Sequence, residues 1–151
     1  MRYIYAIILC MTLSACLTPP GLDPTPTTGS PFAISQEDNP YAPKPEDLGR
    51  QQAGVIITSI NLSERSDLSP VRVDLNMLGS MPSACHELRV KVNSPNETYQ
   101  IFIEIYSVVD PGSNCEDVFQ QFEGNLTLGV YTPGRYTIWV NEEYVGDMIS
   151  Y

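Results

Sequence analysis

Basic residues, histidine and tryptophan are scarce in this sequence. Eight lysines and arginines stand against eighteen acidic residues, which gives a net charge of −10 over 151 residues. Because such a chain repels phosphate backbones, we exclude nucleic acid as a partner. With one histidine and four cysteines, the chain has few side chains for metal ligation or nucleophilic catalysis. The sequence therefore predicts a protein that is not an enzyme and needs no cofactor.

The motifs of common hydrolases are missing as well. The chain contains neither G-x-S-x-G nor S-x-x-K. His86 follows Cys85, but an oxidising compartment would remove the thiolate that zinc needs, so we assign no metal site. The acidic segment 110–117 offers oxygen ligands without the spacing of an EF-hand loop, and calcium binding there stays open.

The amino terminus has the pattern of an export signal. Arg2 supplies a positive charge, and an apolar run from Ile4 to Leu13 follows. The run is too short to span a bilayer, which needs about 20 residues. It ends in Leu13-Ser14-Ala15-Cys16, which resembles the lipobox of bacterial lipoproteins.

That resemblance implies removal of residues 1–15 and lipidation of Cys16, by palmitate or a similar acyl chain, at the cell membrane or the outer membrane. The domain would then lie outside the cytoplasm, with the membrane as a partner through the lipid. The alternative is an ordinary secretory signal in which a cysteine happens to follow Ala15.

Proline dominates the next segment. Residues 17–49 contain eight of the thirteen prolines and no apolar periodicity. Such a segment cannot bury enough surface to offset its ordering entropy. We therefore predict that residues 16–52 comprise the lipidated cysteine and a disordered tether, followed by one domain at 53–151.

Within 53–151 the apolar residues alternate with polar ones, as in half-buried strands. Turn residues separate the runs. One short helix is predicted at 115–122, where Val118, Phe119 and Phe122 share a helical face. About seven short strands and no long helix predict an all-β antiparallel sandwich. The runs are 54–62, 70–78, 85–92, 98–109, 125–131, 135–141 and 143–149.

The run Gly134-Arg135-Tyr136-Thr137-Ile138-Trp139-Val140-Asn141, with Cys85 and Cys115 upstream, resembles small Ig-like domains of uncharacterised bacterial lipoproteins. In these domains a penultimate strand of this form leads into a closing hairpin. The resemblance implies an Ig-like β-sandwich over residues 53–151 but no particular activity. The glycine that usually follows the hairpin asparagine is Glu142 here.

Cys85 and Cys115 are the two thiols that remain once Cys10 leaves with the signal and Cys16 is acylated. Two cysteines in an exported domain are expected to pair. A redox site would instead have the close C-x-x-C spacing, which this pair lacks. The sequence predicts a structural disulfide.

A candidate binding face follows if the third, fourth, sixth and seventh runs form one sheet. Its outward residues would include aromatic rings beside cations, a combination that protein interfaces favour. In the alternative arrangement, the connection 110–123 covers Trp139 and the face is not open there. Of these two arrangements, we expect the covered one. The candidate residues are Arg89, Lys91, Phe102, Tyr106, Trp139 and Tyr144.

The sequence favours a membrane-anchored lipoprotein whose Ig-like domain binds an envelope protein, peptide or glycan without catalysis. Two alternatives remain open. The loops 110–114 and 132–134 would form one wedge in a protease or hydrolase inhibitor, whereas a purely architectural envelope protein would have no ligand.

Overall fold

The computed structural model describes residues 39–151 as an all-β fold of two packed sheets. The predicted signal, Cys16 and the first part of the predicted tether lie outside these residues. One turn of 3₁₀ helix, Pro45–Asp47, precedes eight strands. Among the described residues no helix is long and apolar enough to cross a membrane. The strands are β1 (Gln51–Ala53), β2 (Ile56–Arg65), β3 (Arg72–Met81), β4 (Glu87–Val92), β5 (Gln100–Val109), β6 (Gln120–Thr127), β7 (Gly134–Val140) and β8 (Glu143–Ser150).

The alternating apolar residues face a single core between the sheets. Val73, Leu75 and Met77 of β3 are buried, and Ile101 and Ile103 of β5 pack against them in the same cluster. Alternate residues of a strand point to opposite sides, so each strand contributes one apolar row. The predicted all-β sandwich is confirmed, with β1 as a strand beyond the seven predicted runs.

The four strands that would carry the candidate binding face lie in the same sheet. β2, β3 and β6 form one antiparallel sheet, and β4, β5, β7 and β8 lie together in the other, with β1 added on β5. The prediction of a wholly antiparallel sandwich needs one correction, because β5 and β7 pair in parallel. The chain leaves β5, passes through β6 in the opposite sheet and returns, and this double reversal restores the original direction.

β7 and β1 share the same edge of β5, at its two ends. Thr137 and Val140 of β7 lie opposite Gln100 and Ile103, whereas β1 lies opposite residues 107–109. Between them, the side chain of Asn141 accepts a hydrogen bond from the Ile105 amide (2.8 Å) and donates one to its carbonyl (3.0 Å). Asn141 therefore replaces strand backbone where neither β7 nor β1 reaches.

The domain begins earlier than the predicted boundary at residue 53. The side chain of Asn39 donates to the Val90 carbonyl (2.9 Å), and the Val90 amide donates to the Tyr41 carbonyl (2.8 Å). The following 3₁₀ turn is held by Arg89 through Asp47. Residues 39–52, predicted as the end of the tether, therefore pack along β4 and β5. Local composition did not reveal this because the contacts are with residues about 40 to 50 positions away.

The short helix predicted at 115–122 is wrong. Residues 115–119 are irregular, and β6 begins at Gln120 and pairs with β3. Phe122 lies opposite Gly79, where any side chain would collide with its ring. Pairing with β3 therefore decided the conformation over the helical spacing of the three apolar residues. The Cys85–Cys115 disulfide is present, with Cα atoms 6.1 Å apart, and ties this connection to the segment before β4.

Candidate binding face

Three aromatic side chains form a row across the outer face of the larger sheet. Phe102 of β5, Trp139 of β7 and Tyr144 of β8 are register partners on neighbouring strands. The Phe102 and Trp139 ring centroids are 6.1 Å apart at 28°, and those of Trp139 and Tyr144 are 5.6 Å apart at 65°. Phe102 and Tyr144 remain 36% and 51% exposed. We call these three residues the aromatic row.

The β7–β8 hairpin sets the position of Tyr144 in the row. Asn141 and Glu142 both have positive φ, 47° and 71°, and make a two-residue turn. This turn places Trp139 directly opposite Tyr144. A register shift follows, so that Val145 packs against the core and Gly146 lies next to Leu62. The shift occurs beyond Tyr144 and leaves that side chain on the outer face.

Polar side chains border the aromatic row on both sides. On one side Lys91 donates to Glu104 at 2.7 Å, and Asn93 donates to the same carboxylate at 3.1 Å. On the other side Arg135 pairs with Asp147. Hydrogen bonds from Lys91 and Asn93 lower the pKa of Glu104, and a bond from Arg135 lowers that of Asp147. Both carboxylates are therefore ionised and internally compensated at neutral pH.

The indole N–H of Trp139 already has a partner. It donates to the Thr137 hydroxyl at 3.1 Å. Thr137 stands two residues before Trp139 on the same strand and the same face, opposite Asp147 of β8. A ligand would therefore meet the indole ring rather than its hydrogen-bond donor.

The candidate residue Arg89 must be removed from the open face. It points outward as predicted but is only 3% exposed. Its guanidinium makes two hydrogen bonds to Asp47, at 2.7 and 2.8 Å, and one to Glu87 at 2.8 Å. The 3₁₀ turn covers it because a paired arginine can be buried, whereas an unpaired one could not.

Tyr106 lies at the boundary between the covered and open parts of the face. It is partly buried, and this burial raises the pKa of its phenol. A depression of about 450 Å³ extends from Tyr106 past Glu104 to Phe102 and ends at Asn141 and Glu142. Among the candidate residues, Lys91, Phe102 and Tyr144 thus remain exposed, Trp139 is partly buried between its two aromatic neighbours, and Tyr106 contributes to the depression.

The expectation that the connection 110–123 covers Trp139 is wrong. Val118 and Phe119 are each 62% exposed. Val118 lines a separate depression together with Cys85 and Cys115. The disulfide holds the connection on that side, so its apolar residues do not cover the aromatic row.

The two loops proposed for an inhibitor do not lie together. β5 runs from Gln100 to Val109, and loop 110–114 follows its carboxyl end. Loop 132–134 precedes β7, which starts at the amino end of β5 because Gln100 pairs with Thr137. A ten-residue strand separates them by about 30 Å, so they cannot form one wedge.

The acidic connection does not bring its carboxylates together into one group. Within residues 39–151 no group of three or more histidine, cysteine, aspartate or glutamate residues could hold a metal ion. Asp110 instead pairs with Arg50 at 2.9 Å, and His86 shares a hydrogen bond with Ser83 at 2.8 Å.

Sequence patterns missed two parts of this face. Asp47, which pairs with both Arg50 and Arg89, lies in the Pro-rich segment, where no apolar periodicity indicated a contact with the sheet. Asn93 lies just after the predicted run 85–92 and donates to Glu104. Its position directly after an alternating strand is the signal that the sequence offered, whereas the hydrogen bond from its backbone amide to the Phe102 carbonyl is seen only in the structure.

The fold and this face define a two-sheet β-sandwich domain with an aromatic row on one outer surface. Comparison with known families agrees: residues 75–149 match the model of the ORF11 beta-sandwich domain, which makes this part of the chain similar to that family. The match begins within β3 and extends to β8, so it includes all three residues of the aromatic row. Searches of curated proteins and of solved structures each returned no match.

Proposed function

We propose that this protein is a lipid-anchored component of the bacterial cell envelope whose β-sandwich binds a ligand, without catalysis, through the aromatic row. The observation that carries the proposal is the contiguity of Phe102, Trp139 and Tyr144 on one outer face. The row has a neighbouring depression and bordering polar groups.

Contiguous exposed aromatic rings are uncommon on protein surfaces outside binding sites. Partial burial of a tryptophan and two other rings on a partner supplies much of the energy of a typical binding site. The rings are also rigid, because Trp139 packs against both neighbours and its N–H is fixed on Thr137. A preformed surface loses little conformational entropy when it binds.

Anchoring through Cys16 is supported by the sequence that precedes it. Arg2, the apolar run and Leu13-Ser14-Ala15 are together typical of a lipoprotein signal. The structure describes the domain from Asn39 onward, so in this proposal residues 17–38 would separate the lipid from Asn39. A polyproline-like spacer of this length, at ~3.1 Å per residue, would reach about 70 Å, which limits how far from the membrane the aromatic row can bind.

The anchor is tested by replacing the cysteine. Cys16→Ser should abolish incorporation of radiolabelled palmitate and move the protein from the membrane fraction to the soluble exported fraction. Cys10→Ser is the matched control, because this residue would leave with the signal, and labelling should be unchanged. Equal labelling of both variants would contradict the anchor.

Ligand binding is tested with isolated envelope material. The purified chain should co-sediment with cell-wall preparations freed of lipid, so that the lipid at Cys16 does not contribute, and the double variant Phe102→Ala/Trp139→Ala should lose this association. The double variant Val118→Ala/Phe119→Ala removes comparable exposed apolar surface from the disulfide connection and should retain it. Retention by both variants would show that the aromatic row is not the binding surface.

A further inference from the structure

We propose that the ligand of the aromatic row is a neutral β-1,4-linked oligosaccharide whose ring substituents are equatorial. This inference rests on the proposed binding function and names the chemical class of its ligand. A sugar of this kind presents axial C–H groups on its ring faces and hydroxyls around its rim. The ring faces are apolar and the rim forms hydrogen bonds.

The charge arrangement around the aromatic row fits a neutral ligand. Glu104 is paired with Lys91 on one side, and Asp147 is paired with Arg135 on the other. A basic peptide would have to displace these internal cations. An acidic ligand would meet a chain of net charge −10 and the exposed Glu142 at the end of the depression. Neither sign of charge is therefore favoured.

The bordering groups provide both donors and acceptors close to the rings. Asn93 uses an amide N–H on Glu104, and its side chain has a carbonyl oxygen and a second N–H besides. Glu104 is about half exposed, with a side-chain accessibility of 47%, and can accept hydroxyl protons. Thr137 and Asp147 offer oxygens on the opposite side. Aromatic faces with polar groups at their edges match a ligand that is apolar on its faces and polar on its rim.

A peptide fits these observations less well. Extended peptides bind sheets along an exposed strand edge, whereas the aromatic row lies on a face. Proline-rich peptides dock on aromatic grooves, and their carbonyls commonly need a donor such as an indole N–H. Here the Trp139 N–H is engaged with Thr137. The row also runs across the strands, with centroid spacings of 6.1 and 5.6 Å. Phe102 and Trp139 are within 28° of parallel, whereas Tyr144 is turned by 65°, so a straight chain lying along the row would contact the three rings in succession at different angles.

Trp139 is the single tryptophan of the chain, so its fluorescence reports directly on this face. The purified full chain is titrated with a β-1,4-linked glucose hexamer, a β-1,4-linked N-acetylglucosamine hexamer and a synthetic peptide of residues 17–38. We expect a saturable change in emission with at least one hexasaccharide and none with the Pro-rich peptide. The dissociation constant should be the same in 0.05 and 0.5 M NaCl, because no net charge is paired.

Variants that keep Trp139 test whether the change in its emission comes from binding at the aromatic row. Phe102→Ala and Tyr144→Ala should each weaken hexasaccharide binding about tenfold or more, since each removes one aromatic ring from the contact surface. Phe102→Tyr should restore binding to within about threefold, and Phe119→Ala, an exposed ring elsewhere, should leave it unchanged.

The outcomes separate this inference from the function on which it rests. If neither hexasaccharide changes the emission while envelope binding still depends on Phe102 and Trp139, the glycan inference is overturned and the binding function stands. A response to the Pro-rich peptide alone also overturns it. Loss of both sugar binding and row-dependent envelope binding overturns both proposals.

Discussion

Individual side chains complete the backbone of this sandwich in places where strands do not meet. Asn141 fills the position between β7 and β1 with a donor and an acceptor, while its own φ of 47° starts the hairpin turn. Asparagine suits both tasks, because its amide resembles a peptide group and it tolerates the left-handed region. Glu142, at φ 71°, has no such advantage.

Glu142→Gly should raise the free energy of unfolding by about 0.5 kcal/mol. A left-handed conformation costs an ordinary residue roughly 1 to 2 kcal/mol, and glycine avoids this but gains entropy in the unfolded chain. Urea denaturation measures the difference. Glu143→Gly, one position on in strand β8, should instead lower stability by about 0.5 to 1 kcal/mol. If both substitutions lowered the stability, the positive φ of Glu142 would not be a source of backbone strain.

The Asp47–Arg89 pair fixes the amino-terminal segment on the sheet. Asp47→Asn should lower the free energy of unfolding by about 2 kcal/mol, which lies between the values for exposed and for buried ion pairs. The loss stays below that of a fully buried pair because Glu87 still accepts a hydrogen bond from the Arg89 guanidinium. Asp67→Asn disturbs an exposed pair with Arg65, which solvent screens, and should therefore cost clearly less than Asp47→Asn. Equal losses in urea denaturation would show that the Asp47 pair is no stronger than a surface one.

The Asp47–Arg89 pair also makes the free energy of unfolding depend on pH, in a direction that follows from the pKa shift of Asp47. Hydrogen bonds from Arg89 hold the pKa of Asp47 well below its ordinary value. Its contribution is therefore present above the unfolded pKa, near 4, and is lost as the pH falls through the lower folded pKa. The stability difference between wild type and Asp47→Asn should stay constant from about pH 8 to 5 and shrink below about pH 4. A difference that grows on acidification would refute this assignment.

At the scale of elements, the disulfide holds the irregular connection between β5 and β6. Residues 115–119 have no strand partners, and Val118 and Phe119 are mostly exposed. Cys85–Cys115 closes a loop of 30 residues across this connection. The bond thus substitutes for the packing that the connection lacks.

The double variant Cys85→Ser/Cys115→Ser should lose about 3 to 4 kcal/mol of unfolding free energy in the loop-entropy model. Amide hydrogen exchange should accelerate mainly at residues 111–119, while β3 and β5 keep their protection. Reductant should bring the wild type down to the stability of the double variant and leave the variant unaffected. If the double variant were as stable as the oxidised wild type, the disulfide would not stabilise the fold.

At the scale of the whole molecule, the domain includes residues 39–52 as a packed edge. A chain of residues 53–151 should unfold at least about 3 kcal/mol more easily than a chain of residues 39–151, because Arg89 loses Asp47 and β1 leaves β5. Denaturant unfolding of the two chains measures this difference. Equal stability would place the domain boundary at residue 53 after all.

The strands and the sides of the core were predictable because alternation is a local property. Val73, Leu75 and Met77 share a face in any extended conformation, and burial follows from their apolar character. The condition set for the candidate face, that the third, fourth, sixth and seventh runs form one sheet, agrees with the observed pairing of β4, β5, β7 and β8. The prediction of a helix at 115–122 was wrong because pairing of β6 with β3 outweighs the helical spacing of three apolar residues.

The sequence by itself determined the all-β class, the inward and outward sides of the strands and the two cysteines that pair. These depend on residue type and on spacing of a few positions. Only the tertiary structure decided that β7 lies parallel to β5, that Asp47 buries Arg89 and that Trp139 packs between Phe102 and Tyr144. Each of these results comes from residues far apart in the chain, whose contacts depend on how the two sheets pack.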